Sequence, residues 1–309
     1  MKKIIYALIF SSSFLSAQQI ISEEIELTNG KIQIPGTLSY PETSGKVPLI
    51  IFVHGSGNVD RNGNQAGVGI KANYIKALRD SLNNRKIAFY SYDKRTSIPS
   101  NMPHLEGILF ADFVDDVKVA ITRFAKDDRF NAIYLIGHSQ GSLVAMLSMN
   151  KNVDGYISLA GPSDAINTVI VSQLTKQSAE VAEIAKNHFK ELKETDTIQK
   201  VNPFLLSLFA PQNQKFMASW MQFTPSEEIQ KITVPILILQ GDSDLQVSVE
   251  DARSLSSSNP KSKLHIIPKM NHVLKEVNSL EENQKSYSSE GFPLSNELVN
   301  TIVQFILEK

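Results

Sequence analysis

Ala132-Ile133-Tyr134-Leu135-Ile136-Gly137-His138-Ser139-Gln140-Gly141-Ser142-Leu143-Val144-Ala145-Met146 is the stretch from which the rest of the chain can be read. Its first five residues are apolar and rich in β-branched and aromatic types, as in a strand buried on both faces. Ser142–Met149 suits a helix. Between them stands Gly-x-Ser-x-Gly, so the order is strand, tight turn, helix, with Ser139 at the tip. In so sharp a turn, a side chain two residues to either side of the serine would strike the adjoining strand and helix. The turn holds the serine in strained backbone geometry with its oxygen exposed. The N–H of Gln140 points outward from the positive end of a helix, where it can donate to a developing oxyanion.

Working outward, similar apolar runs recur at Leu49–Val53, Ile87–Tyr92, Tyr156–Ala160, Pro235–Leu239 and Leu264–Ile267. Helical stripes separate them: Ile75, Leu78 and Leu82; then Phe113, Val117, Ala120, Ile121 and Phe124; and finally Leu298, Ile302, Phe305 and Ile306. This alternation predicts an α/β fold with a doubly wound, mostly parallel sheet. Lys31–Tyr40 should add antiparallel strands behind an Asn29-Gly30 turn. The alternation stops from Ser163 to Thr233. Residues 165–193 read as helix, and Pro203, Pro211 and Pro225 punctuate the rest of that segment. We expect a helical cap over 163–233, inserted into a core formed by 18–162 and 234–309. A cap at that point would cover the carboxyl ends of the strands, where open α/β sheets bind ligands.

A serine hydroxyl needs a base. Of six histidines, His54 and His138 sit inside strand-end motifs and should be structural. His104 and His188 lie outside any motif, and His265 falls within a strand. His272, in the loop after the last apolar run, fits the order serine, acid, histidine. The acid lies in Gly241-Asp242-Ser243-Asp244, just past a strand. Asp242 is placed to bond the turn, whereas Asp244 is further out and can reach an imidazole. We take Ser139, Asp244 and His272 as the catalytic candidates. Glycines flank Ser56 in His54-Gly55-Ser56-Gly57, so the main-chain N–H of Ser56 is expected to complete an oxyanion hole with that of Gln140.

Composition narrows the alternatives. The chain has 309 residues, 42% hydrophobic, with net charge −1 and no cysteine. It lacks a basic footprint for nucleic acid, and thiolate chemistry is excluded. No phosphate loop, dinucleotide fingerprint or zinc motif occurs, so neither cofactor nor metal is expected. Lys2 and Lys3, the apolar run Ile4–Leu15 and the small Ala17 read as a cleaved signal peptide over residues 1–17. The mature protein would then be periplasmic or secreted. Gln18 stands where a lipid anchor needs cysteine, so no membrane attachment is expected after cleavage.

Taken together, His54-Gly55-Ser56-Gly57 with Asp60-Arg61-Asn62-Gly63, Tyr92-Asp93-Lys94-Arg95, Gly137-His138-Ser139-Gln140-Gly141, Leu159-Ala160-Gly161-Pro162, Gly241-Asp242-Ser243-Asp244 and Asn271-His272 resemble the motif set of bacterial α/β-hydrolase esterases of the serine-aminopeptidase-like group. The likeness runs from about residue 25 to the C-terminus. It implies cofactor-free hydrolysis of small-molecule, short-chain acyl esters through an acyl-enzyme, with the triad on Ser139, Asp244 and His272. Members often follow Asp-Lys-Arg with Gly-x-Gly; Thr96, Ser97 and Ile98 stand here instead. An aminopeptidase-like peptidase, a thioesterase and a non-catalytic binding protein are the alternatives on the same fold. Asp60 with Arg61, and Lys94 with Arg95, are expected in loop-shaping ion pairs, and Asp112, Asp115 and Asp116 on a solvated helix face. Phe204, Leu208, Phe209, Phe216, Trp220 and Phe223 either line an acyl pocket or form the cap's own core.

Overall fold

The computed structural model describes residues 19–307, so the expected signal segment lies outside the described residues. β1 (Ile20–Asn29) and β2 (Ile32–Pro41) pair antiparallel around Asn29-Gly30. β3 (Val47–Val53) comes next, then a small hairpin of β4 (Asn64–Gln65) and β5 (Ile70–Lys71). The regular alternation is α1 (Tyr74–Asn83), β6 (Ala88–Tyr92), α2 (Phe110–Phe124), β7 (Phe130–His138), α3 (Gln140–Ser148) and β8 (Gly155–Leu159). Between β8 and the next strand the chain makes only helices: α4 (Ile166–Thr175), α5 (Ala179–Thr195), α6 (Leu206–Phe209), α7 (Pro211–Trp220) and α8 (Pro225–Glu228), with short 3-10 turns. β9 (Ile236–Gly241), α9 (Val249–Ser258), β10 (Lys263–Ile267), α10 (Leu280–Ser286) and α11 (Asn296–Leu307) complete the chain. No described helix is long and apolar enough to cross a membrane.

The eight main strands are ordered β1-β2-β6-β3-β7-β8-β9-β10, and only β2 runs against its neighbours. From β3 the chain moves outward to β6, then returns across β3 to β7. The crevice between the carboxyl ends of β3 and β7 is therefore the switch point where such sheets bind ligands. The apolar runs are continuous because both faces of these strands are buried. Leu49, Ile51 and Val53 of β3 join the layer containing α2 and α3. Ile50 and Phe52 join the opposite layer, where Ile75, Leu78 and Leu82 of α1 pack beside Leu298 and Ile302 of α11.

Three expectations need correction. β1 is a full strand that lies ahead of the expected 31–40 region. It alternates exposed Glu24 and Glu26 with half-buried Ile25 and buried Leu27, because it is an edge strand. Residues 165–193 form two helices, not one: Lys176–Ser178 interrupts them, and the Ser178 side chain caps α5 by accepting from Val181 N. The aspartate cluster of α2 is solvated only in part: Asp115 is exposed and Asp112 half-buried, but Asp116 is not. Asp116 is only 2% exposed and accepts from Arg95 Nε at 2.7 Å and from Asn29 Nδ2 at 3.0 Å.

Burial raises the Asp116 carboxyl pKa even against the Arg95 pairing, so this ion pair is held at a desolvation cost. Asp116→Ala would leave the Arg95 guanidinium buried without its main partner, and should lower unfolding free energy by about 3–5 kcal/mol. A urea titration with an unchanged slope and a lower midpoint would show it. A midpoint equal to that of the parent would refute the assignment.

Candidate active site

The glycines of the elbow are required by contact. A Cβ on Gly137 would lie 2.4 Å from Gly141 O, and one on Gly141 would lie 2.2 Å from Val53 O. β7, β3 and α3 thus meet closely enough to force the turn. Ser139 takes φ 54°, ψ −124°, a conformation a non-glycine residue adopts at a cost of ~1–3 kcal/mol. Its N–H bonds Leu159 O at 3.0 Å, which ties the elbow to β8. Its hydroxyl is half-buried and is hydrogen-bonded to no described residue, His272 included.

His272 and Asp244 are brought together. His272 Nδ1 lies 2.7 Å from Asp244 Oδ2. The other carboxylate oxygen accepts from Gln246 N at 2.7 Å and Val247 N at 3.1 Å. Burial pushes the Asp244 pKa up, but the His272 charge, its hydrogen bond and the two backbone donors outweigh burial, leaving the pKa below its ordinary value. The group is therefore a carboxylate near neutral pH, and Nδ1 of the neutral imidazole carries the hydrogen. Nε2 is left without hydrogen as the basic nitrogen. Asp242 is not held by its own turn's backbone as expected: Oδ1 accepts from Lys269 N at 2.6 Å, in the loop after β10, and from the neighbouring Ser243 Oγ at 3.1 Å.

His138, next to the serine, braces the histidine loop. Its Nε2 donates to His272 O at 2.8 Å, and the two rings have centroids 4.8 Å apart. Burial, helped by the nearby His272, lowers its pKa to about 3, so it stays neutral. His54 is also lowered to about 3 by burial and by Lys94. Its ring packs edge-on to Tyr92, with centroids 4.5 Å apart. His265 lies on the exposed side, 2.6 Å from Glu297 Oε1.

Two features had no sequence signal. Asn283 of α10 donates to Ser243 O at 2.6 Å and accepts from Asn271 Nδ2 at 3.0 Å, which clamps the acid loop to the histidine loop. Lys94 is buried, and Nζ donates to Gly55 O and Gln140 Oε1, both at 2.7 Å. The expected ion pairs therefore change partners. Arg61 pairs with Asp93 at 2.8 Å rather than with Asp60, which instead accepts from Asn62 N and Asn64 N. Arg95 pairs with Asp116, and Lys94 pairs with no carboxylate among the described residues.

Neither Ser56 N nor Gln140 N has a protein acceptor among the described residues. Both residues line a cavity of about 530 Å³ whose far wall is Ser207, Leu208, Gln212, Asn213, Phe216, Met217 and Trp220 from the helical segment. Ser139 and His272 are not among its lining residues, so it adjoins the elbow rather than enclosing it. The aromatic set divides. Leu208, Phe216 and Trp220 face the cavity, Phe209 is fully buried against Phe189, Phe204 is 84% exposed, and Phe223 packs toward Phe110. Trp220 also stacks on Phe110 of α2 at 5.2 Å. Among the described residues no group of three or more His, Cys, Asp or Glu could hold a metal ion.

A family model described as Serine aminopeptidase, S33 matches residues 66–276. Esterase EstD of Thermotoga maritima is 27% identical over 265 residues, 82% of this chain, and the chain spans 60% of that relative's length. Est1E from Butyrivibrio proteoclasticus has a similar solved structure, with TM-score 0.58 and 19% identity over 92% of this chain and 98% of its own. The Pyrococcus furiosus esterase Pf2001 gives a TM-score of 0.59 at 14% identity, covering 94% and 91%. At these identities the two structures speak for a shared fold.

Proposed function

From the chain's membership of the serine aminopeptidase S33 family, with an α/β-hydrolase fold, we propose that it is a serine carboxylesterase acting on short-chain acyl esters. The observation that carries the reading is the Asp244–His272 pair at 2.7 Å, on strand-end loops beside a strained serine elbow. Ser139 Oγ attacks the ester carbonyl carbon and its proton passes to His272 Nε2. The carbonyl electron pair moves to the oxygen, which the N–H groups of Ser56 and Gln140 hold. Collapse of the adduct expels the alkoxide, which takes the proton from His272, leaving an acyl-enzyme. Water then repeats the steps and releases the acid. The Ser139 hydroxyl must swing to Nε2 as substrate binds; such bonds are often long or absent without substrate.

Residues 163–233 act as a cap whose α6–α7 segment supplies the acyl wall of the cavity. Lys2, Lys3 and the apolar run to Leu15 support export to the periplasm or beyond. An aminopeptidase needs a carboxylate to grip a free α-ammonium, and the cavity is lined by Lys94 and by no Asp or Glu among the described residues. That favours an ester over a peptide substrate. A series of p-nitrophenyl esters from acetate to palmitate, run beside an aminoacyl p-nitroanilide, tests both points. We expect kcat/KM to peak at acetate or butyrate and to exceed that for the anilide by about 100-fold. Faster turnover of the anilide would replace the esterase reading with a peptidase one.

A further inference from the structure

The structure assigns to Lys94 a part in the reaction: we propose that it is the positioning residue of the oxyanion hole, one side-chain nitrogen holding both peptide donors in place. This rests on the esterase reading above. Lys94 follows β6 and reaches across the carboxyl end of β3 to α3, with its side chain buried. Its Nζ donates to Gly55 O at 2.7 Å and to Gln140 Oε1 at 2.7 Å. The remaining N–H direction faces the ring of Phe113, whose centroid is 4.4 Å away.

The first of these bonds matters because Gly55 C=O and Ser56 N–H belong to one peptide unit. That unit is trans, as are all those described. In a trans peptide the C=O and N–H point in opposite directions, so fixing the oxygen on Lys94 fixes where the Ser56 hydrogen points. A donor on the carbonyl also polarises the unit and strengthens its N–H as a donor. The second bond holds the Gln140 side chain, and with it the first turn of α3, whose leading N–H is the other donor. Gly55 itself lies against the nucleophile: a Cβ there would be 3.1 Å from Ser139 Cβ. The two loops bearing the hole and the serine are thus joined through a single nitrogen.

Keeping a lysine here costs desolvation. Lysine is almost never fully buried unless it is paired, and no described carboxylate pairs with this one. Burial lowers its pKa to about 7, with the Asp116 charge only partly countering. An apolar chain of equal length would avoid that desolvation. The lysine nitrogen does what such a chain cannot, which is to donate to both loops at once.

The experiment compares the parent protein with Lys94→Met on p-nitrophenyl butyrate. It adds two inhibitors: a trifluoromethyl ketone, whose carbonyl carbon bonds Ser139 Oγ to leave an oxyanion in the hole, and the matching alcohol, which forms no adduct. We expect kcat to fall by about 30-fold or more with KM within about threefold. The Ki of the ketone should rise by the same factor as kcat/KM falls, while that of the alcohol stays constant. A merely structural role would move both inhibitors alike. Unchanged kcat and ketone Ki, or parallel shifts in the two inhibitors, overturn the proposal. Should K94M fail to fold, Gln140→Leu, which cuts one tether and keeps the main chain, is read by the same criteria. If the parent neither turns over esters nor binds the ketone, the esterase reading fails and the inference falls with it. An active parent with an unaffected variant sinks only the role of Lys94.

Discussion

Ser139→Ala is expected to lower kcat for p-nitrophenyl butyrate by about 10⁵-fold or more, while the thermal midpoint stays within about 3 °C. The hydroxyl makes no hydrogen bond to a described residue that the fold could lose, and alanine carries the same Cβ in the same φ 54° backbone. What disappears is the one oxygen placed to add to an acyl carbon. A fluorophosphonate probe should label the parent and leave S139A unlabelled. Retained turnover in a folded variant would remove the serine from its role. A parent that resists both the probe and esters would instead favour a non-catalytic binding protein.

Asp244→Asn should be the second largest loss, about 10⁴-fold in kcat. The reason is local. Oδ1 of Asp244 accepts from Gln246 N and Val247 N at 2.7 and 3.1 Å, so an asparagine would put its amide oxygen there. Its NH₂ would then face His272 Nδ1, where a donor is required to meet an acceptor. The imidazole hydrogen would shift to Nε2, the nitrogen that must take the proton from Ser139. Asp242→Asn provides the contrast, since that carboxylate bonds Lys269 N rather than the imidazole; its kcat should stay within about tenfold of the parent. If the two substitutions had equal effects, the acid would have been misassigned.

The residues proposed for chemistry are legible in the sequence because each lies just past an apolar strand: β3, β7 and β9 are almost wholly buried, and the edge strand β10 is buried at its last residue, Ile267. Apolar runs locate β3, β7, β9 and β10, and the few residues after each must then lie along one edge of the sheet. The Asp244–His272 contact is a consequence of that placement. Elements whose burial depends on tertiary partners are harder to read. β1 carries glutamates on its exposed face and offers no continuous apolar run. Asp116 looks like any helix-surface acid until Arg95 is seen folded onto it. The break at 176–178 falls within Thr175-Lys176-Gln177-Ser178, where only the serine marks a cap. An ion pair is the natural expectation for Lys94 because surface lysines commonly form one. That it reaches back beneath the loop after β3 depends on β6 lying beside β3, an adjacency that local sequence does not encode.

The inner wall of the 530 Å³ cavity is built from the loops after β3 and β6 and from α2 and α3, while Leu208, Phe216 and Trp220 come from a segment spliced between two strands. On the esterase reading proposed above, bond-breaking and acyl selection would fall to separate stretches of the chain. Exchange of residues 204–221 between homologues would retune which esters are accepted and leave the proton relay untouched. Under that reading the architecture would let substrate range drift quickly while the chemistry stayed fixed.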